Sequence, residues 1–283
     1  MKLAILYRAT YNYEEKASLS PHLVRIFPRL DLSLKIERTK FSTHETADVQ
    51  YRRDLYDNLI AYCFFPQAIQ ELSFDLDLEI EIAEKNPFHF LLDAHALHIP
   101  FVYTATEASV LSPFLVGAGQ AGTLPASLKM SAKRPTIEAL VTMNQWLFDN
   151  IEYERREEGD AYPADYTLKT QKGSCRDTSV LFLDVLRQNG IAARVVSGFV
   201  WEDEFPEEGA ARSVNAMHAW VEAYLPGAGW VGMDPTNGAF ADHHFIPTAV
   251  GLQPPDIAPI LGTYYGHKTI KSSLETSLQI QPR

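Results

Sequence analysis

The chain has little cysteine and no long apolar run. Its 283 residues include only two cysteines, Cys63 and Cys175, which excludes a disulfide framework and a zinc site with several cysteine ligands. A single bridge between them is not expected, because they lie in segments that we assign to separate domains. The apolar stretch at residues 3–7 is too short for a secretory signal, and no segment approaches the roughly 20 apolar residues of a membrane helix. We therefore expect a cytoplasmic protein without a membrane partner.

Positive charge is scarce as well. The 25 lysine and arginine residues are outnumbered by 36 aspartate and glutamate residues, which gives a net charge of −11. This balance argues against nucleic acid or an anionic membrane as the main partner. Hydrophobic residues make up 46% of the chain and charged residues 22%, as in ordinary globular proteins, and the length suits one large domain or two smaller ones. None of these features sets the oligomeric state.

The first hundred residues are typical of β-structure. Strand-like segments lie at residues 3–13, 23–28 and 57–65, and residues 72–82 alternate strictly between apolar and polar side chains. Strict alternation indicates a strand with one buried and one solvated face. Several short strands separated by polar turns favour a sandwich. We therefore predict an N-terminal β-sandwich-like domain at residues 1–112.

Two features of this half have both a structural and a chemical interpretation. Cys63 lies among aromatic residues, which favours a small buried hydrophobe over a reactive thiol. Asp75, Asp77, Glu79 and Glu81 line one face of a strand, and their pattern lacks the central glycine of a calcium-binding loop. We predict a solvated sheet face that also discourages edge pairing.

The second half begins after a segment rich in glycine, alanine and serine. Residues 113–134 have the composition of a connector. A helix is predicted from Pro135 to about Tyr153, because apolar residues recur there on one helical face. The charged run at residues 152–160 is predicted to be a solvated loop. We place the second domain at residues 135–283.

Cys175 lies at the predicted start of another helix. Ser174 is a favoured N-cap residue, Asp177 completes the S-x-x-D pattern of a capping box, and Asn189-Gly190 ends the helix. A helix N-terminus carries partial positive charge and free N–H groups, which stabilise a thiolate and can bind a developing oxyanion. Cys175 is therefore a candidate nucleophile. Arg176 either supports it, is a surface arginine or pairs with Asp177.

His218 and Asp234 lie in a predicted hairpin. Residues 215–225 alternate like a strand, a Pro-Gly-Ala-Gly turn follows, and residues 230–233 return as the partner strand. Asp234 precedes a proline, which holds it extended at the strand end. Covalent acyl transfer requires a nucleophile, a base and a residue that orients the base. His218 is the candidate base and Asp234 the candidate orienting residue, with Glu222 on the same strand face as the alternative.

Segments of both halves carry a resemblance to a known family. They are Gly173-Ser174-Cys175-Arg176-Asp177, residues 186–199, His218-Ala219-Trp220-Val221-Glu222, Gly229-Trp230-Val231-Gly232-Met233-Asp234-Pro235-Thr236, and residues 8–13 and 20–29. The later segments resemble the bacterial transglutaminase-like superfamily, which has the papain-like cysteine protease fold. The two early segments resemble the β domain that precedes the catalytic core in that family. Together the matches span nearly the whole chain.

The resemblance implies an α+β fold, in which the N-terminal β-sandwich-like domain precedes a transglutaminase-like catalytic core at residues 135–283. It implies Cys175 as the nucleophile, His218 as general base and acid, and Asp234 as the residue that orients the imidazole, with no cofactor and no metal.

The resemblance does not set the substrate, since members of that family include transglutaminases, cysteine peptidases and amide hydrolases. We predict hydrolysis of an amide or peptide bond through a thioester acyl-enzyme. The expected partner is a peptide or amide substrate, which includes a protein side chain. Acyl transfer to an amine and a non-catalytic interaction protein with the same fold are the alternatives.

Some residues depart from the family pattern. Asn215 stands where members often have aspartate, and residues 251–256 replace a Gly-Arg-Asp-Tyr-like stretch. These departures concern the rim of the substrate site rather than the triad. Asp242, His243-His244 and His267 match no standard metal-binding spacing, so we assign them to a loop or to the rim.

Overall fold

The computed structural model describes residues 1–117, 119–130, 132–156, 159–201, 217–266 and 270–283. The strands are β1 (Lys2–Leu19), β2 (His22–Val24), β3 (Leu34–Thr43), β4 (Asp48–Arg53), β5 (Leu59–Phe64), β6 (Ile69–Ile82), β7 (His98–Ile99), β8 (Arg134–Pro135), β9 (Glu152–Tyr153), β10 (Lys172–Gly173), β11 (Ala193–Val200), β12 (Met217–Leu225), β13 (Gly229–Asp234), β14 (Ala239–Phe240), β15 (Phe245–Gly251), β16 (Ile260–Leu261), β17 (Tyr264–Tyr265) and β18 (Ser272–Pro282). The helices are α1 (Ala105–Leu111), α2 (Thr136–Asn150), α3 (Ala164–Thr170), α4 (Cys175–Gln188) and α5 (Pro254–Ile257), with short 3₁₀ helices at Ala94–Ala96 and Ser112–Phe114.

Two antiparallel sheets, built mainly from the N-terminal strands, enclose one apolar core. In the first sheet, β1 lies between β18 and β6, β3 follows β6, and β17 pairs with the C-terminal end of β1. The second sheet has the order β16-β2-β5-β4. Side chains from both sheets, such as Ile5, Phe74 and Val24, are buried in the same core. The predicted β-sandwich is confirmed.

The alternating segment forms β6, whose position in the sheet differs from the prediction. Apolar residues such as Phe74 are buried, and the acidic residues between them are half-buried or exposed, as predicted. β6 is an interior strand between β1 and β3, so the predicted protection of a sheet edge is wrong. Instead, Asp75 pairs with Arg8 of β1, and Asp77 lies 2.7 Å from the guanidinium of Arg38 of β3. The acidic face is therefore balanced by arginines of the neighbouring strands.

The C-terminal segment returns to the sandwich. β18 pairs with β1 along a ladder in which Leu3 is opposite Pro282 and Tyr13 is opposite Ser272. Residues 272–282 therefore belong to the first sheet, although residues 135–283 were predicted to form one domain. The sequence did not predict this strand, because Leu278 is its one buried side chain and no alternation of apolar and polar residues results.

The predicted connector at residues 113–134 packs against the second half. Ala121 and Leu128 are buried in the core that also contains α2 and α4. The backbone N–H groups of Gln120 and Ala121 donate to the carboxylate of Asp184 in α4, at 3.2 and 2.7 Å. The segment is therefore fixed to α4 rather than acting as a free linker.

The α+β core of the second half is built on one antiparallel sheet. Its order is β14-β13-β12-β11-β15, and α2 and α4 pack on one face. The sandwich contacts this sheet through Asn58, which is fully buried. The Asn58 side chain accepts from the N–H of Val250 at 2.9 Å and donates to its carbonyl at 2.8 Å. An amide side chain of the sandwich thus completes the pairing of edge strand β15.

The predicted helices and strands of this core are confirmed with small changes of boundary. The helix predicted to reach Tyr153 ends at Asn150, and Tyr153 instead lies in β9 within the segment predicted to be a loop. α4 ends at Gln188, and Gly190 has a φ of +74°, as expected of a helix stop. Asn215 lies outside the described residues, so the strand predicted there is described from Met217. No described helix combines the length and apolarity needed to cross a membrane.

Candidate active site

The first turn of α4 positions the thiol of Cys175. Cys175 is the first residue of the helix, as predicted. The backbone N–H and the hydroxyl of Ser174 both donate to the carboxylate of Asp177, each at 2.8 Å. This contact fixes the start of the helix, and a carboxylate there also suits the positive end of the helix dipole. The N–H groups of Asp177 and Thr178 already donate to the carbonyl oxygen of Ser174, so among the first N–H groups those of Cys175 and Arg176 are the ones without an acceptor in the helix.

The β12–β13 hairpin brings His218 and Asp234 together. Val221 is opposite Met233, so the C-terminal end of β13 lies beside the N-terminal end of β12. His218 Nε2 lies 2.8 Å from Asp234 Oδ2, and both side chains are fully buried. The sequence predicted the hairpin, and the register supplies the contact.

Asp234 is held by more than the histidine. The backbone N–H of Thr236 donates to Asp234 Oδ1 at 2.9 Å, and the side-chain amide of Asn237 donates to Oδ2 at 2.8 Å. With His218, three donors converge on one buried carboxylate. They fix its orientation, and through it the orientation of the imidazole.

The imidazole of His218 faces the thiol with its second nitrogen. Since Nε2 is occupied by Asp234, Nδ1 is the ring nitrogen left for Cys175. The imidazole of His218 and the backbone N–H of Ala219 both act to lower the pKa of the Cys175 thiol. Cys175 as a whole residue is half-buried.

The two side chains shift each other's protonation. Burial alone would raise the pKa of the Cys175 thiol, but the charge of His218 and its hydrogen bond lower that pKa below its ordinary value. Burial alone would lower the pKa of His218, but Asp234 and Cys175 together raise it to about 10. Both shifts favour a thiolate–imidazolium pair at neutral pH. By contrast, burial raises the pKa of Cys63 to about 12, and Cys63 has no exposed surface, in agreement with its predicted structural role.

Contacts in the structure decide between two pairs of alternatives left by the sequence. The carboxylate that contacts His218 is that of Asp234, whereas Glu222 lies 2.6 Å from the guanidinium of Arg194. Arg176 donates to the carbonyl oxygens of Gly159 and Arg156, at 2.7 and 2.8 Å. Arg176 therefore binds the backbone of Arg156 and Gly159 rather than pairing with the carboxylate of Asp177.

The partner of Asp177 is an arginine that the sequence did not single out. Arg156 Nη2 lies 2.7 Å from Asp177 Oδ1, and the backbone N–H of Tyr162 donates to the same oxygen at 2.6 Å. The Arg156 guanidinium also lies over the Tyr162 ring, 3.9 Å from its centroid. One fully buried carboxylate thus anchors both the start of α4 and the loop beside it.

Tyr153 is a neighbour of the site that the sequence did not predict. β9 pairs with β10 in parallel, with Tyr153 opposite Gly173, two residues before Cys175. Burial raises the pKa of Tyr153, and the charges of Cys175 and Asp234 raise it further, whereas Arg155 and Arg176 lower it. The half-buried phenol therefore lies within electrostatic reach of the thiol. A single tyrosine in a charged run carries no pattern, so only the β9–β10 pairing reveals it.

The predicted loop residues Asp242, His243 and His244 lie close together. The ring Nδ1 and the backbone N–H of His244 each lie 2.9 Å from Asp242 Oδ1. One potential ligand atom from each of the three residues lies within 4.8 Å of the others, a spacing that a metal ion could bridge. His267, which was grouped with them from the sequence, lies outside the described residues.

The sandwich and the α+β core with its Cys-His-Asp arrangement define a papain-like fold. Residues 123–235, which contain all three side chains, match the transglutaminase-like superfamily, and residues 3–81 match the bacterial transglutaminase-like N-terminal region. Both matches confirm the resemblance to the bacterial transglutaminase-like superfamily that the sequence motifs indicate.

Similar proteins span the whole chain or part of it. An uncharacterized protein of Mycobacterium tuberculosis is 23% identical over 292 residues, which cover 98% of this chain and 92% of that protein. The protein-glutamine gamma-glutamyltransferase of Pseudomonas aeruginosa is 38% identical over 74 residues, which cover 25% of this chain and 11% of that protein. The crystal structure of a candidate cysteine protease from Cytophaga hutchinsonii superposes with a TM-score of 0.74 at 16% identity, covering all of this chain and 91% of that one. At that identity, the superposition establishes the fold alone.

Proposed function

We propose that the protein is a cysteine-dependent amide or peptide hydrolase that forms a thioester acyl-enzyme on Cys175. The observation that carries the proposal is the buried His218–Asp234 contact, with 2.8 Å between the imidazole and the carboxylate, beside a thiol whose pKa the same imidazole lowers. A half-buried cysteine whose thiol pKa is lowered by a neighbouring imidazole is typical of a nucleophile rather than of a structural cysteine.

In the first half-reaction, the Cys175 thiolate attacks the carbonyl carbon of the amide and forms a C–S bond, while the C=O π electrons move onto the oxygen. Collapse of this tetrahedral intermediate breaks the C–N bond, and the His218 imidazolium gives its Nδ1 proton to the leaving amine. The products are a thioester on Cys175 and a free amine. Asp234 holds the imidazole in place throughout.

In the second half-reaction, water replaces the amine. Neutral His218 takes a proton from water as the water oxygen attacks the thioester carbonyl. The C–S bond then breaks, which releases a carboxylic acid and restores the thiolate–imidazolium pair. Hydrolysis thus needs no group beyond the three side chains and water.

We assign two donors to the oxyanion of both tetrahedral intermediates. The backbone N–H of Cys175 is at the first helical position, where no intrahelical acceptor exists. The hydroxyl of Tyr153 is the second donor, since β9 lies directly beside the segment that leads into Cys175. Loss of one such donor typically costs about 10²–10³ in kcat, so Tyr153→Phe is expected to slow acylation.

Acyl transfer to a primary amine is the second candidate. Its specific support is the local similarity to the Pseudomonas aeruginosa protein-glutamine gamma-glutamyltransferase. Both activities share the thioester on Cys175 and differ only in whether water or an amine attacks it. The substrate in either case is a peptide, an amide or the side chain of a protein.

The proposal is tested by offering the protein a panel of peptide amides and glutamine-containing peptides, with and without a fluorescent primary amine. Release of ammonia or a new amine without label incorporation indicates hydrolysis, and incorporation of the label indicates transfer. Cys175→Ala should fold normally and lose both activities, whereas Cys63→Ala should keep them. Turnover that survives in Cys175→Ala would rule the proposal out. A folded wild-type protein that turns over nothing in the panel and does not react with thiol alkylators would favour the non-catalytic interaction protein.

A further inference from the structure

Two buried threonines connect the helix that carries the thiol with the loop that carries the carboxylate. Thr178 lies in the first turn of α4, and Thr236 follows the strand that ends at Asp234. Their hydroxyl oxygens are 3.1 Å apart, and the two residues are only 3% and 1% exposed.

The direction of this hydrogen bond follows from the proton count. The Thr178 hydroxyl lies 3.1 Å from the carbonyl oxygen of Ser174 and 3.2 Å from that of Cys175, and its single proton is donated to these acceptors. Thr236 must therefore donate to Thr178. The backbone N–H of Thr236 donates in turn to Asp234 Oδ1 at 2.9 Å. A continuous chain of hydrogen bonds thus runs from Asp234 to the backbone of the nucleophile.

We infer that the Thr178–Thr236 pair is a positioning device that sets the distance between the Cys175 thiol and the imidazole held by Asp234. The thiol and the imidazole lie on different secondary-structure elements, and the effect of each group on the pKa of the other depends on the distance between them. The pair fixes the carbonyl end of Cys175 on one side and the loop of Asp234 on the other. Neither threonine touches the reacting atoms, so both act through Cys175 and Asp234.

This inference rests on the proposed function for its effect on turnover. Its direct effect is on the pKa and reactivity of the Cys175 thiol alone. If the hydroxyl bridge is removed, the thiol and the imidazole separate, and the thiolate loses part of its stabilisation. The Cys175 thiol should then titrate closer to its ordinary value. The rate of alkylation by iodoacetamide reports this directly, because the thiolate is the reactive form.

The test uses the full chain with Thr178→Val and Thr236→Val, which keep the shape and remove the hydroxyl. In each variant, the apparent pKa in the pH profile of Cys175 alkylation should rise by about one unit, which is about a tenfold loss of thiolate at fixed pH below that range. The double variant should show about the same shift as either single one, because both remove one shared hydrogen bond. Thr178→Ser keeps the hydroxyl and should restore the wild-type profile.

The control is Thr248→Val in β15. Thr248 is equally buried and donates to the carbonyl of Ser197 at 3.1 Å, but that bond lies within the sheet, between β15 and β11. Its alkylation profile should match the wild type. Unchanged profiles in both folded Thr178→Val and Thr236→Val, or equal shifts in Thr248→Val, would overturn the inference. If Thr178→Val does not fold, the comparison of Thr236→Val with Thr236→Ser decides the question in the same way.

The readout also separates this inference from the proposed function. A wild-type protein that alkylates with a lowered pKa but turns over no amide would contradict the proposed hydrolysis and leave the threonine bridge standing. Where turnover is found, kcat/KM should fall about tenfold in the two valine variants, with KM nearly unchanged, since an ångström-scale misplacement slows chemistry more than binding.

Discussion

Replacement of Asp234 by asparagine should disable the thiol without disturbing its helix. The carboxylate accepts from His218 Nε2 at 2.8 Å and is fully buried, so no water screens its charge. Against the effect of burial, Asp234 and Cys175 raise the pKa of His218 from 6.5 to about 10. At about 1.4 kcal/mol per pKa unit, the two partners together supply several kcal/mol. If Asp234 provides half of this, about 2–3 kcal/mol, kcat/KM should fall by about 10²-fold.

The loss of activity should be accompanied by a loss of thiol reactivity. In Asp234→Asn the imidazolium is no longer favoured, so the rate of Cys175 alkylation at pH 7 should fall together with activity. Asp242→Asn is the matched control, because Asp242 also contacts a histidine, His244, but lies in the loop before β15. Its kinetics should equal those of the wild type. An Asp234→Asn protein that is folded by circular dichroism and keeps kcat/KM within threefold would refute the role assigned to the carboxylate.

Three further outcomes are expected. In the native protein one thiol, Cys175, should react with a disulfide reagent and two after denaturation, because Cys63 is fully buried; two reactive native thiols would contradict the fold. The raised pKa of His218 contributes stability that is complete below pH 6.5 and is lost as the pH rises through about 10. Between those two pH values, the Tm of the wild type should therefore fall more steeply than the Tm of His218→Gln. Parallel curves of Tm against pH would argue against the ion pair. Gly198→Ala should lower the free energy of unfolding by about 1–3 kcal/mol in chemical denaturation, because an added Cβ would overlap a backbone carbonyl of β15; an unchanged midpoint would contradict the sheet register.

The sequence predicted those features that depend on local patterns. The S-x-x-D cap places Cys175 at the start of α4, and the strict alternation of residues 72–82 predicts β6. Both patterns act within one element, where helix capping and the two-residue repeat of a strand leave few alternatives. The hairpin of His218 and Asp234 also follows from a glycine-containing turn between two apolar runs.

The remaining features depend on which distant segments pair. Strand β18 pairs with β1 over a separation of more than 250 residues, and its mostly polar side chains carry no burial pattern. Tyr153 comes beside the thiol only because β9 pairs with β10, a two-residue ladder with no signature in the sequence. The Thr178–Thr236 contact likewise requires the helix and the hairpin to be docked. Tertiary packing, rather than local preference, determines all three.

The cytoplasmic location stays a prediction, which fractionation of cells that produce the full protein would test. Equal recovery of the protein with cytoplasmic and envelope markers would leave no basis for it. The oligomeric state is a separate measurement, by sedimentation or light scattering.

The measurement that tests the central claim most directly is mass spectrometry of the protein quenched in acid during turnover of the best peptide amide. We predict an adduct on the peptide that contains Cys175, with the mass of the acyl group and the lability to hydroxylamine expected of a thioester. The adduct should be absent in Cys175→Ala. Turnover with no adduct on Cys175 at any quench time, or with a thioester on another residue, would contradict the account.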